Sequence, residues 1–265
     1  MNILDKIIAQ KKVEVAARKM ETSIASLEKE YFFNKETLSL KAFLLDPSKT
    51  GIISEFKRKS PSKGVINNHS SVEEVTKAYA QNGASGLSIL TDTHFFGGQL
   101  ADLTVATINE VPILRKDFMI DEFQIIEAKA YGAEVILLIA ACLSPQEVKQ
   151  MAILAKSIGL EVLLEIHNEQ ELEHICDHVE MVGVNNRNLK NFEVSIDISL
   201  QLIQHIPSTK LAIAESGINN VNTIVTLQKA GFKGFLIGEH FMKEPSPSIA
   251  FADFVTQLKA KQNEG

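Results

Sequence analysis

The chain contains, at residues 111–118, the sequence VPILRKDF, in which an apolar run of strand length ends in charged residues. The same pattern, an apolar run followed by Glu, Lys, Asn, Arg or Gly, recurs at 52–57 (IISEFK), 162–165 (VLLE), 182–187 (VGVNNR), 211–217 (LAIAESG) and 235–239 (FLIGE). Chemically active residues at the carboxyl ends of many parallel strands are typical of the active face of a barrel enzyme. The pattern therefore predicts an α/β fold of the TIM-barrel type.

Alternating strands and helices follow a helical N-terminal segment. The predicted strands are 51–57, 86–91, 111–117, 134–140, 161–166, 180–185, 210–215 and 234–239. Most are continuous Ile, Leu, Val and Ala runs, as expected of parallel strands buried on both faces. Amphipathic helices are predicted between them, for example at 71–81, 122–131, 145–157 and 221–229. Eight such units favour a closed (β/α)8 barrel over an open sheet.

The length of 265 residues fits one barrel of this type. We predict a single TIM-barrel domain over residues 1–265, with a helical N-terminal extension at about 1–48 and the barrel at about 49–262. The extension is predicted to begin with an amphipathic helix because Ile3, Leu4, Ile7 and Val15 recur at helical spacing. No glycine-rich dinucleotide fingerprint follows the first strand, so a Rossmann fold has little support.

The composition argues against several classes of protein. A net charge of -6 and a pI near 5.7 do not fit a general nucleic-acid surface, which would be basic. No apolar run approaches the roughly 20 residues of a membrane helix, and charged residues interrupt the N-terminus, so we predict neither a membrane span nor a signal peptide and expect a cytoplasmic protein. Cys142 and Cys176 form no CxxC motif and are predicted to be small core residues.

Charged and polar side chains are predicted to converge at the mouth of the barrel. Glu55 and Lys57 share one face of a strand because side chains alternate along it. The residues that converge in this way are Glu55, Lys57, Lys116, Glu165, Asn185, Arg187 and Glu215. Each one taken alone fits a solvated loop position equally well. Several together at one mouth would perturb one another's pKa values, as general acid–base catalysis requires.

Basic residues are concentrated near the same rim although the chain is acidic overall, which indicates an anionic substrate. They are Lys57, Arg58, Lys59, Lys63, Arg115, Lys116 and Arg187, of which Arg58 and Lys59 are expected in a solvated turn. Loops after strands seven and eight of such barrels often bind phosphate through backbone N–H groups. Those loops carry Ser216-Gly217 and Gly238-Glu239 here. We therefore predict a phosphorylated small-molecule substrate.

Two further groups of residues have both a structural and a functional interpretation. His174 and His178 lie four apart on a predicted helix, but no third ligand accompanies them, so we expect surface positions and no metal site. His94, Phe95 and Phe96 are predicted to lie in a loop after strand two. They form either an aromatic lip over a planar ligand or ordinary hydrophobic packing.

In these motifs the chain resembles the indole-3-glycerol phosphate synthase family. The matching stretches are EFKRKSPS (55–62), LTD (90–92) with FFGG (95–98), RKDF (115–118), LEIH (164–167), GVNNR (183–187), AESGI (214–218) and FLIG (235–238). They match in order and spacing along nearly the whole chain, and the helical extension matches too. The combination of EFKRKSPS with RKDF is highly specific.

The resemblance implies a decarboxylating cyclase of tryptophan biosynthesis that needs no cofactor or metal. It implies that Lys116 is the general acid at a ribulose carbonyl and that Glu165 serves the dehydration that follows. Lys57 would hold the substrate carboxylate or donate a proton, while Glu55, Asn185 and Glu215 orient groups nearby. The implied substrate-binding residues are Ser60, Phe96, Phe118, Leu137, Arg187, Leu189, Ser216, Gly217, Leu236, Gly238 and Glu239.

Three positions depart from the family pattern. Gln99 and Glu239 stand where serine is frequent, and Asn188 stands where aspartate is frequent. One alternative is another sugar-phosphate barrel, such as phosphoribosylanthranilate isomerase, which would require a Cys or Asp pair at the ends of strands one and five, where this chain has Glu55, Lys57 and Glu165. The other is a non-catalytic barrel, which would lose Lys116 or Glu165 first. We expect a monofunctional monomer or weak homodimer.

Overall fold

A computed structural model describes residues 2–188 and 192–263 of the chain, and Leu189 therefore lies outside the described residues. The barrel strands are β1 (Ile52–Phe56), β2 (Gly86–Leu90), β3 (Ile113–Lys116), β4 (Val135–Ile139), β5 (Glu161–Ile166), β6 (Met181–Asn185), β7 (Leu211–Glu215) and β8 (Gly234–Ile237). Each strand pairs in parallel with the next, and β8 pairs with β1 to close the barrel. The predicted (β/α)8 barrel is confirmed, and the predicted strand bounds differ from these by at most two residues.

Helices form the N-terminal extension and the outer ring of the barrel. The extension contains α1 (Ile3–Glu21), α2 (Ile24–Leu27) and α3 (Leu40–Leu45). The ring contains α4 (Val72–Gln81), α6 (Leu100–Ala106), α7 (Glu122–Ala130), α8 (Pro145–Ser157), α9 (Asp197–Leu202), α10 (Val221–Ala230) and α12 (Pro247–Asn263). Two four-residue helices, α5 (Thr93–Phe96) and α11 (Glu239–Met242), follow β2 and β8 at the mouth. Short 3-10 helices lie at Tyr31–Asn34, Ala140–Cys142, Glu169–His174 and Ile203–His205. Within the described ranges, no helix is both long enough and apolar enough to cross a bilayer.

The segment after β2 is helical, although the sequence predicted a loop there. Asp92 caps α5, and its Oδ1 accepts hydrogen bonds from the backbone N–H groups of Phe95 and Phe96. An aspartate at this position satisfies N–H groups that have no partner within the helix, so a single turn becomes stable. The helix ends at Gly97, whose φ of 69° is the left-handed conformation that glycine adopts without strain.

The extension closes the amino-terminal end of the barrel. Leu40 and Leu44 of α3 are buried in one cluster with the inward-facing residues of the strands. Gly86 and Gly234 begin β2 and β8, and a methyl group at either position would collide with one of these leucines or crowd it. Glycine at the two strand starts therefore makes room for α3, and the interior of the barrel is filled from below by apolar side chains.

A buried ion cluster fixes α1 against the opposite, carboxyl-terminal end. Lys11 is 1% exposed, and its Nζ lies 2.8 Å from Asp92 Oδ2 and 2.9 Å from Asp117 Oδ1. Burial alone lowers the pKa of Lys11, but the two aspartates and Glu14 outweigh it and raise that pKa above its ordinary value. Asp117 directly follows β3 in the sequence, so the ammonium ties α1 to the end of the strand that carries Lys116.

Candidate active site

The carboxyl ends of the strands surround a cavity of about 610 Å³. It is lined by every predicted site residue that the structure describes: Glu55, Lys57, Ser60, Phe96, Lys116, Phe118, Leu137, Glu165, Asn185, Arg187, Glu215, Ser216, Gly217, Leu236, Gly238 and Glu239. Leu189 belongs to the undescribed residues. The fold therefore brings together side chains from seven strands and from the loops that follow them. These side chains combine charged groups with apolar walls.

Lys116 stands at the centre of this cavity between two carboxylates. Its Nζ lies 2.7 Å from Glu165 Oε2 and 2.7 Å from Glu215 Oε2. Burial alone lowers the pKa of Lys116, but Glu165, Glu215 and Glu55 together raise it above its ordinary value. Lys116 is therefore held as an ammonium, which can donate a hydrogen bond to an oxygen placed in the cavity.

The two carboxylates beside Lys116 differ in their affinity for a proton. Burial opposes ionisation of both, but Lys116 and His167 hold the pKa of Glu165 well below its usual range. For Glu215, burial and the neighbouring charge of Glu165 prevail over Lys116 and raise the pKa to about 7. Pairs of carboxyl groups whose pKa values are separated by their surroundings are typical of acid–base sites.

Glycine provides the space in which Glu215 lies. A methyl group at Gly183 of β6 would overlap the carboxyl group of Glu215 on the neighbouring strand β7. The same relation holds on the other side of the mouth, where a methyl group at Gly238 would overlap the carboxyl group of Glu55. Both buried glutamates therefore depend on a glycine next to them, and a larger residue would displace a charged group of the cavity.

Lys57 forms the second ammonium of the site. It follows β1, and its Nζ lies 2.7 Å from Glu55 Oε1. Glu55 is 4% exposed, so the pair is partly withdrawn from solvent, whereas the Lys57 side chain retains 15% exposure at the cavity wall. Glu55 therefore holds the Lys57 ammonium at the cavity wall, where a ligand that enters the mouth can contact it.

Asn185 and Arg187 arrange the wall after β6. The Nδ2 group of Asn185 donates to Glu165 Oε1 at 3.2 Å, and its Oδ1 accepts from the backbone N–H of Arg187 at 3.0 Å. The guanidinium of Arg187 reaches across to Glu239, with 3.5 Å between Nη2 and Oε2. Asn185 thus restricts the orientation of the Glu165 carboxylate, while Arg187 places a cation near the start of α11.

One end of the cavity is apolar. The rings of Phe96 and Phe118 lie 6.0 Å apart between centroids, and Leu137 and Leu236 add aliphatic surface. An aromatic ligand ring fits walls of this kind because stacked or tilted aromatic pairs prefer centroid distances of about 4.5–7 Å. His94 and Phe95 do not line the cavity among the described residues, so of the three aromatic residues in α5 Phe96 alone takes the role of a lip.

The other end offers hydrogen-bond donors to an anion. Ser216 and Gly217 both have positive φ, 65° and 76°, and this turn exposes backbone groups to the cavity. The helix α11 begins at Glu239, and the first N–H groups of a helix have no partner within it. The Ser60 hydroxyl is buried and has no hydrogen-bond partner among the described residues, so it remains available to a bound group.

Comparison with known proteins gives the family. A family model described as indole-3-glycerol phosphate synthase matches residues 4–254. The chain belongs to the indole-3-glycerol phosphate synthase family. It is 44% identical to the indole-3-glycerol phosphate synthase of Bacteroides thetaiotaomicron over 259 residues, which cover 97% of this chain and 99% of that protein. The protein of the same name from Aliarcobacter butzleri is 41% identical, with coverage of 97% and 99%. The resemblance read from the motifs is confirmed.

Solved structures with little sequence similarity share the fold. A chain of the tryptophan synthase complex from Pyrococcus furiosus superposes with a TM-score of 0.59 and 14% identity, covering 80% of this chain and 99% of that one. A structure described as native KDPGal gives a TM-score of 0.59 at 11% identity, covering 83% of this chain and 97% of that one. At such low identity the likeness is to the barrel alone.

Two predictions about basic residues at the rim of this synthase-family barrel are wrong. Arg115 does not face the mouth: it is fully buried on the outer side of β3, 3.1 Å from Asp117 and 2.9 Å from Glu127. Strand alternation directs it away from the cavity that Lys116 enters. Arg58 is not merely solvated either, because it forms an ion pair with Asp102.

The prediction of surface histidines is also wrong for His174. This residue is 7% exposed, and its Nε2 lies 2.9 Å from the carbonyl oxygen of Leu143. Its Nδ1 lies 3.1 Å from the carbonyl oxygen of Glu171. His174 therefore provides partners for two backbone carbonyl groups where its 3-10 helix packs against the segment that follows β4, so it has a structural role.

Sequence reasoning missed several residues around the cavity of this family member. Ile3, Leu4 and Ile7 of α1 line it, and so does Lys243. The apolar spacing of α1 indicates a buried face but not what that face covers. His167 lies behind Glu165, and nothing in its spacing singles it out. The motif LEIH contains it, two residues after the glutamate.

Proposed function

We propose that this chain converts 1-(2-carboxyphenylamino)-1-deoxy-D-ribulose 5-phosphate to indole-3-glycerol phosphate with loss of carbon dioxide and water. The observation that carries the proposal is Lys116, an ammonium held 2.7 Å from each of Glu165 and Glu215 at the mouth of a barrel of this family. Ring closure and dehydration need proton donors and acceptors in fixed positions, and this cluster supplies both.

The proposed reaction begins with attack of a ring carbon on the ribulose carbonyl. The attacking carbon carries the carboxylate, so its bond to carbon dioxide breaks after the new carbon–carbon bond has formed, and the ring regains aromaticity. Lys116 donates a proton to the carbonyl oxygen as negative charge develops there. Lys57 binds the substrate carboxylate, and Glu55, 2.7 Å from Lys57 Nζ, holds that ammonium in place.

The second half of the proposed reaction is the loss of the new hydroxyl group as water. Glu165 accepts and returns protons in this step, and Asn185 keeps one of its oxygens oriented. Glu215 adjusts the charge around Lys116, because its pKa of about 7 allows it to hold a proton near neutral pH. Each of these groups lines the same cavity, so no long-range transfer of a proton is needed.

Binding of the substrate is proposed to use both ends of the cavity. The anthranilate ring lies among the apolar residues Phe96, Phe118, Leu137 and Leu236. The family resemblance adds Leu189, which is outside the described residues. The phosphate lies at the opposite end, where the donors are Ser60, Arg187, Ser216, Gly217, Gly238 and Glu239. At Glu239 the backbone N–H is the donor, because a carboxylate side chain would repel a phosphate.

A direct assay tests the proposal. Purified protein is mixed with the carboxyphenylamino-deoxyribulose phosphate, without added metal or cofactor, and indole formation is followed by fluorescence. We expect product at an ordinary enzymatic rate, and we expect Lys116→Ala to lower kcat by at least about 10²-fold, the low end for loss of a general acid. No product from folded protein would favour another phosphorylated substrate or a non-catalytic barrel; near-normal turnover by the variant would remove Lys116 from the role.

The proposal extends to the organisation of the chain. We propose one domain in which the extension at about 1–48 and the barrel form a single unit, because the Lys11 ion cluster joins them. We further propose a monomer or weak homodimer that acts in the cytoplasm. Sedimentation of the purified protein over a range of concentrations tests the oligomeric state.

A further inference from the structure

Glu165 Oε1 accepts from Asn185 in the cavity wall and also faces His167, a charged residue that does not line the cavity. His167 lies two residues further along the chain. Its Nε2 is 3.3 Å from Glu165 Oε1, which is an ion-pair distance but does not meet hydrogen-bond geometry. On its other side, His167 Nδ1 is 3.2 Å from Glu171 Oε2, which also accepts the backbone N–H of His167 at 2.7 Å. The imidazole therefore lies between two carboxylates, one in the cavity and one outside it.

We infer that His167 is a positioning residue that is held as an imidazolium by Glu171 and keeps the Glu165 carboxylate ionised and aimed at Lys116. The inference rests on the proposed function, in which Glu165 is the acid–base group. A neutral imidazole has one N–H and one lone pair, so it would turn a lone pair toward one of the two carboxylates. With both ring nitrogens protonated, each faces an acceptor.

The surroundings of His167 support the charged form. Burial opposes the charge, but Glu165 and Glu171 outweigh it and raise the pKa of His167 to about 10. These are the charged groups that face the ring, one from β5 and one from the 3-10 helix Glu169–His174. The Cys142 thiol faces the same two carboxylates, and burial raises its pKa to about 12, so it stays neutral.

The position of His167 makes its effect indirect. Neither His167 nor Glu171 lines the cavity among the described residues, so neither has substrate contact there. Glu165 is then flanked by two cations, Lys116 at one oxygen and His167 at the other. A carboxylate held in this way enters turnover without a proton and acts first as a base. The first proton donated to the substrate must come from another group, for which Lys116 is placed.

Three variants distinguish the effect of the His167 charge from that of a change in local structure. His167→Asn removes the charge and keeps a hydrogen-bond donor. Glu171→Gln removes the carboxylate that holds the imidazolium. Glu169→Gln makes the same chemical change at an exposed position of the same 3-10 helix and is the matched control. Each variant is studied as the full chain, by kcat and KM over pH 4.5–9 and by NMR titration of the seven histidines.

The expected results follow from the charges. In the wild type, the His167 resonance, assigned by its loss in His167→Asn, remains in the protonated form above pH 8, and Glu171→Gln lowers its midpoint. An opposite charge at this range lowers a carboxyl pKa by about 1–3. The acid limb of kcat in His167→Asn should therefore move up by at least about one pH unit, with KM changed less than about twofold. Glu169→Gln should match the wild type.

Two results would overturn the inference. One is a His167 resonance that titrates near its ordinary pKa in the wild type. The other is an active wild type in which His167→Asn keeps both kcat and the acid limb. An inactive wild type would overturn the proposed function and the catalytic role of His167 with it, whereas the NMR titration would still report whether the imidazole is charged. The two failures are therefore distinguishable.

Discussion

Replacing Lys11 with methionine removes the ammonium that ties α1 to the end of β3. Methionine keeps the length of the side chain and has similar helix propensity, so the change is mainly one of charge. The variant leaves Asp92 and Asp117 buried without a cation that lies 2.8 and 2.9 Å away in the wild type. Breaking a buried ion pair costs about 3–5 kcal/mol. Asp117 keeps Arg115 as a partner, so we expect about 3 kcal/mol, the lower end.

The lost stabilisation should weaken first the packing of α1 against the barrel. A cost of about 3 kcal/mol raises the population of the locally opened state roughly 10²-fold, and amide hydrogen exchange of α1 measures that population. KM should rise as well, because Ile3, Leu4 and Ile7 of the same helix line the cavity. Lys12→Met is the matched control: it makes the same substitution at the next residue, which is exposed.

The two variants should therefore behave differently. Lys12→Met is expected to stay within about 0.5 kcal/mol of the wild type, as is usual for surface positions. If Lys11→Met shows the same α1 exchange rates, urea midpoint and KM as Lys12→Met, the buried cluster does not hold the extension in place and the reasoning fails.

Two further predictions concern buried glutamates. Burial raises the pKa of Glu134 from 4.5 to about 7, although the hydrogen bond that the Ile113 N–H donates to it acts in the opposite direction. The folded state therefore binds a proton more tightly than the unfolded state, and its stability falls as the pH rises from 4.5 to 7. The free energy of unfolding of Glu134→Gln, minus that of the wild type, should therefore increase by about 3 kcal/mol between pH 4.5 and pH 8 in urea denaturation. A difference that does not change with pH would contradict this prediction. Gly183→Ala places a methyl group on the Glu215 carboxyl, so we expect kcat to fall at least about tenfold with about 1–3 kcal/mol lost in thermal unfolding. Unchanged kcat would separate Glu215 from the chemistry.

The strands and the mouth were predictable because both depend on local patterns. Parallel strands buried on both faces appear as continuous apolar runs, and the residue that ends each run lies at the mouth once the barrel closes. Lys116, Glu165 and Glu215 share the cavity for this reason. The family motifs contain the same residues, so the two lines of reasoning agree on where the site lies.

The ion clusters were not predictable, because they join residues far apart in the sequence. Lys11 forms ion pairs with Asp92 and Asp117, and the three residues come from three separate segments of the chain. No periodic pattern in the sequence indicates such long-range contacts. The outward direction of Arg115 could have been predicted from local geometry. Arg115 and Lys116 are consecutive strand residues, so their side chains point to opposite faces. The burial of His174 depends on a 3-10 helix where the sequence indicated a regular helix.

The burial of Leu40 and Leu44 at the amino-terminal end of the barrel affects how substrate enters and products leave. Within residues 2–188 and 192–263, apolar side chains close the amino-terminal end of the barrel. Both small products of the proposed reaction therefore leave through the mouth by which the substrate arrived. Carbon dioxide and water then pass the aromatic lip and α1, as the larger product does. A change that narrows this shared passage should slow release as well as entry, and should therefore lower kcat together with kcat/KM.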